Sequence, residues 1–82
     1  MQQIYKLPLV LDPQPEGGYT ITCPLLPGLV TEADKVDEII PNVTDAFQAL
    51  MEAYEEQGRP LPRNIQRIDP DYPFMIDVLL TI

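Results

Sequence analysis

Residues 36–60 read VDEIIPNVTDAFQALMEAYEEQGRP, and this stretch decides the fold. Val36, Ile39, Ile40, Val43, Phe47, Leu50 and Tyr54 recur at intervals of three and four with polar residues between them. That is the spacing of one apolar face on an α-helix. Asp34 is placed to cap the start, and Asp37 and Glu38 lie where acids favour the positive end of the helix dipole. Gly58 followed by Pro60 supplies the stop. Pro41 lies inside the pattern, where it removes a backbone donor and crowds the preceding turn, so a kink or a late start is expected there. At 1.5 Å per residue the helix would be roughly 30 Å long, enough to cover a small sheet.

Outward from the helix, both flanks read as strands. On the N-terminal side, Ile4 to Leu11 (IYKLPLVL) alternates Tyr5, Leu7, Leu9 and Leu11 on one face, with Pro8 at a bulge or near a sheet edge. The segment DPQPEGG (residues 12–18) is a turn into YTITC, Tyr19 to Cys23, which is rich in β-branched and aromatic residues. PLLPG (residues 24–28) is a rigid connector, after which Leu29 to Glu32 forms a short third strand. On the C-terminal side, residues 59–73 form a proline-punctuated connector carrying Arg59, Arg63 and Arg67 against the acidic helix. FMIDVLLTI, Phe74 to Ile82, alternates as a long last strand. Both of its faces are largely apolar, so it is expected to lie centrally in the sheet or to pair with another subunit, most economically as a homodimer.

The element order is therefore β-β-β-α-β, an α+β fold in which one long amphipathic helix packs on a small antiparallel sheet. At 82 residues the chain is read as a single domain spanning 1–82, because so short a chain supports only one core.

Charge narrows the function. Thirteen acidic residues against five basic ones give a formal charge of −8. Such a surface repels phosphate backbones and anionic membranes, which argues against direct nucleic-acid or membrane binding and allows a basic protein partner. Cys23 is the only cysteine, so no intramolecular disulfide can form, and the expected location is the cytoplasm. With no histidine and one cysteine, the chain lacks the usual zinc sets, a Ser/His/Asp arrangement and a Cys/His dyad. No enzyme activity, catalytic residue, cofactor or metal site is expected. Glu32, Asp34, Asp37 and Glu38 could be imagined as a metal cluster, but acids at a helix start are the commoner explanation.

Four segments carry a family resemblance. Gly17-Gly18-Tyr19 after the first turn is similar to an acidic, GGY-like hairpin. Pro24-Leu25-Leu26-Pro27-Gly28-Leu29-Val30-Thr31 resembles a PDLPG-C-VT segment. Glu32-Ala33-Asp34 before the long helix and Gly58-Arg59-Pro60-Leu61-Pro62 after it resemble the entry and exit of that family's helix. Over roughly residues 4–62 the sequence thus resembles the N-terminal domain of HicB-type antitoxins and the short stand-alone HicB-like (UPF0150) proteins. It departs from their pattern at Leu25, Leu29 and Pro41.

The resemblance implies a degenerate ribonuclease H-like sheet that is not itself catalytic. It also implies a protein-binding role, in which the chain sequesters and blocks a small basic toxin ribonuclease. A C-terminal DNA-binding domain, common in that family, is not expected here. The residues nominated for partner contact are Asp45, Glu52, Glu55 and Glu56 on the helix, and Asp69 and Asp71 in the connector. The alternative is a stand-alone HicB-like homo-oligomer with a regulatory role and no toxin partner.

Overall fold

In the computed structural model, which describes residues 3–82, a three-stranded antiparallel sheet is built from β2 (Val10–Pro13), β3 (Tyr19–Thr22) and β4 (Val30–Ala33), in that order. A separate two-stranded antiparallel sheet joins β1 (Ile4–Lys6) to β5 (Gln66–Ile68). A 3-10 turn, Val36–Glu38, runs directly into α1 (Ile39–Glu56). The α+β class and the antiparallel pairing agree with the sequence reading.

The register explains the core. Leu11, Ile21 and Thr31 stand opposite one another across the three strands, and the adjacent row is Val10, Thr22 and Val30. Because successive side chains point to opposite faces, these two rows face opposite ways. Ile21 is completely buried, and Cys23, Leu29 and Ala33 share its face. The helix adds Ile39, Val43 and Tyr54 to this cluster. Val10 and Val30, by contrast, are about half exposed or more, so the face opposite the helix is uncovered.

The PLLPG connector does more than join strands. Leu26 donates its N–H to the Cys23 carbonyl (3.2 Å) and Leu29 donates to Leu26 (3.1 Å), which makes two successive turns. These turns point Leu26 and Leu29 into the core, where both are buried.

Pro8 divides the first strand rather than bulging it. Proline has no N–H for a ladder, and residues 7–9 lie between β1 and β2, which pair with different neighbours. Pro41 gives a late start. The α-helix begins at Ile39, so Pro41 falls in the first turn, where the N–H groups have no intrahelical acceptor and its missing donor costs little.

Two expectations need correction. Asp34 does not cap the helix. Instead the Glu38 carboxylate reaches back to accept the N–H groups of Asp34 (2.9 Å) and Lys35 (3.2 Å), so the acid three residues into the turn satisfies the backbone at its start. Phe74 to Ile82 is not a strand within this chain. The strand that pairs with β1 is Gln66–Ile68, inside the stretch read as connector, in the register Ile4↔Ile68, Tyr5↔Arg67 and Lys6↔Gln66. Alternation in 74–82 gives a strand propensity, but no ladder forms on this stretch, and the partner that β1 takes is β5 instead.

The helix ends as Gly58 and Pro60 suggest. Gly58 takes φ +63°. Its N–H reaches the Glu55 carbonyl (3.1 Å) and that of Arg59 reaches Tyr54 (2.9 Å), the pairing of a Schellman motif.

The hairpin glycines separate two effects. Gly17 and Gly18 both have positive φ, but a Cβ on Gly18 would lie 3.0 Å from the Ala33 carbonyl oxygen, whereas one on Gly17 meets nothing within 4 Å. Gly17→Ala should therefore cost about 1 kcal/mol for conformation alone, and Gly18→Ala should cost clearly more; urea unfolding of the two variants measures the difference. Glu38→Ala should lower stability by about 1 kcal/mol through the two lost backbone hydrogen bonds, and the same titration reads it.

Candidate interaction surfaces

Two surfaces offer themselves to a partner, one acidic and one apolar. The acidic one follows from helix geometry. At about 100° per residue, Asp45, Glu52 and Glu56 fall within roughly 20° of a line along α1, whereas Glu55 is turned about 80° away. All four are exposed. The structure thus brings three of the nominated residues into one stripe, with Glu55 beside it.

Asp69 and Asp71 lie apart from that stripe, on the turn after β5. Asp69 accepts the Asp71 N–H on its side chain (3.0 Å), and its carbonyl accepts the Tyr72 N–H (3.3 Å). This local closure is an Asx-type turn, so Asp69 has a structural use there. Both aspartates are exposed.

A shallow hollow of about 470 Å³ lies at the helix start, lined by Glu32, Asp34, Asp37, Glu38 and Asn42 among others. Its polar groups are partly engaged. Besides the hydrogen bonds to Glu38, Asn42 donates its amide to the Glu32 carbonyl (2.7 Å). Among the described residues, no three histidine, cysteine or acidic side chains converge as ligands.

The connector arginines divide between aromatic neighbours. Arg59 lies over the Tyr54 ring (4.8 Å from its centre) and donates to the Gln57 side chain (3.2 Å), while Arg67 lies over Tyr5 (5.8 Å). Arg59 thus meets the helix through Tyr54, and Arg67 meets β1 through Tyr5. Arg63 and Arg67 border a hollow of about 230 Å³ with Tyr5, Leu61, Pro62 and Ile65. The sequence reading missed this basic hollow, because its two sides come from β1 and from residues far along the chain. Tyr5 also meets Phe47 (5.7 Å between ring centres), which ties the small sheet to the helix.

The apolar surface is the C-terminal segment. Phe74, Met75, Ile76, Val78, Leu79, Leu80 and Ile82 are all exposed, and Tyr72 just before them is too. Lys6 donates its ammonium to the Met75 carbonyl, which tethers the base of the segment beside β1. Scattered surface hydrophobes are ordinary, but seven within nine consecutive residues form a patch of the kind that marks an interaction site. Among the described residues, no helix is long and apolar enough to cross a membrane.

Comparison with known proteins places the chain in a family. No family model matches the chain. It is 30% identical over 69 residues to a UPF0150 protein of Synechocystis sp., an alignment covering 84% of this chain and 87% of that protein. It is also 30% identical over 73 residues to Antitoxin HicB 1 of Photorhabdus laumondii, across 87% of this chain but 47% of the antitoxin. A UPF0150 protein of Thermoplasma acidophilum is 25% identical over 59 residues, 72% of this chain and 86% of its own length. Identity of 30% over most of this chain and of the Synechocystis protein, together with the match to a HicB antitoxin, means that the chain belongs to the HicB-like UPF0150 family.

Proposed function

We propose that this protein is an antitoxin-type binding module that sequesters a small basic toxin, and that Asp45, Glu52 and Glu56 form the centre of the contact, with Glu55, Asp69 and Asp71 at its margin. The observation that carries the reading is the exposed acidic stripe on a helix whose opposite face is anchored in the core. A rigid element presents the charge, so little ordering is needed on binding. Kinship to a protein named as an antitoxin supports the same class of role. On this reading the chain blocks its partner by occlusion, catalyses nothing, makes no direct contact with nucleic acid, and works in the cytoplasm as a single domain.

A second reading is favoured by a specific observation. The apolar segment 74–82 is unsuited to a basic partner, since Asp77 is its only charged residue, and self-association through it is the alternative use. A stand-alone homo-oligomer with a regulatory role would need that segment and not the stripe. The two uses can coexist, because they occupy different elements.

Recovery of the tagged protein from its own cells at low salt, followed by mass spectrometry, tests the first reading. A small basic protein in stoichiometric amount, released at high salt as screening shortens the reach of the charges, is the expected result. The Asp45→Lys, Glu52→Lys, Glu56→Lys variant should keep its helical circular-dichroism signal and lose that protein by at least tenfold. Capture unchanged by the three substitutions would refute the stripe as the contact, and recovery of the chain alone would favour the stand-alone oligomer.

A further inference from the structure

We propose that residues 74–82 form a strand that pairs antiparallel with the same segment of a second copy, about a two-fold axis through Val78. The proposal rests on the self-association reading above and deepens it by naming the occupant, the register and the sign of the salt dependence.

The occupant follows from what the fold leaves open. Nine residues in extended form span about 30 Å. Among the described residues, β1 and β5 have three residues each and already pair with one another. β2 has four and ends on Pro13, which has no N–H to offer. β4 has four, and the Glu32 carbonyl on it is taken by Asn42. None offers a partner of matching length. The segment itself does, since among the described residues its one hydrogen bond is that from Lys6 to the Met75 carbonyl. A row of free N–H and C=O groups on an apolar strand is a template for pairing, and an isologous pair satisfies both copies with one surface.

Charge restricts the register. Centring the pair on Asp77 would set two carboxylates directly opposite, which is destabilising. Centring it on Val78 sets Asp77 against Leu79 of the other copy. Phe74 then meets Ile82, Ile76 meets Leu80, and Val78 meets itself, so one face of the ribbon is wholly apolar. A two-stranded ribbon is marginal in water by itself, and pairing is therefore expected to depend on concentration. Each copy carries −8, so the bodies repel, and added salt should strengthen the pair by screening. A complex with a basic partner would weaken under the same change.

Sedimentation equilibrium of the pure full chain from about 1 µM to 1 mM should show monomer passing to dimer, with at least a threefold gain in association between 50 and 500 mM NaCl. Val78→Lys, which sets two ammonium groups face to face, should be monomeric throughout with an unchanged helical circular-dichroism signal. In a Cys23→Ala background, dissolved oxygen should oxidise Val78→Cys to a linked dimer, because opposed Cα atoms in an antiparallel pair lie about 4.5 to 5.5 Å apart. Asp77→Cys and Leu79→Cys should link at least tenfold more slowly, because each would then reach its own copy only across the diagonal of about 7 to 8 Å.

A wild-type chain that stays monomeric at 1 mM overturns self-association itself, without touching the toxin reading. A dimer that survives Val78→Lys and fails to link through Val78→Cys overturns only the proposed pairing. Faster linking through residue 77 or 79 overturns the register, and assemblies larger than two overturn the closed pair.

Discussion

The burial of Ile21 is the constraint on which the rest of this small protein depends. Ile21 sits in the middle strand, in register with Leu11 on one side and Thr31 on the other, and it is sealed from solvent. A strand at the centre of only three cannot hide such a side chain without a lid. α1 supplies it through Ile39 and Val43 from above, and the two turns of the Pro24–Gly28 connector supply Leu26 and Leu29 from the end of the sheet. With four large side chains almost fully buried, each worth about 1.5 to 3 kcal/mol on burial, the fold has few redundant contacts. Fixing the helix over Ile21 also fixes where its polar side points, so the direction of the acidic stripe is a by-product of core packing.

The elements legible in the sequence were those whose information is local. Helix periodicity, the hairpin glycines and the stop at Gly58 are written within a few residues of where they act, and each was found. Pro8 was recognised as a conflict, but its outcome was decided elsewhere: which neighbour each half of the strand meets depends on β5, more than fifty residues away. β5 itself went unseen because Gln66–Ile68 is three residues long and lies between prolines. Phe74 to Ile82 shows the opposite error. Its alternation is strong, yet alternation describes what a strand would bury, and says nothing of whether an edge is there to receive it.

The same division holds for the surfaces. The helix acids could be placed on one side from spacing alone, because 3.6-residue geometry needs no tertiary knowledge. That Arg63 and Arg67 meet Tyr5 across a hollow could not. That arrangement arises only when β1 and β5 are brought side by side. The protein consequently presents charge where its helix is most regular and apolar surface where its regular structure stops.

The closure of β1 on β5 has a consequence for how the molecule is made. Residues 10–33 hold a complete antiparallel meander whose turns are short, so this unit can pair as soon as it emerges from the ribosome. β1, synthesised before it, pairs only with residues 66–68, and closing so long a loop carries an entropic cost that local pairing does not. β1 thus has no strand to lie against until residues 66–68 are available. Before then the side chains of Ile4 and Tyr5, half-buried in the finished fold, stay open to solvent.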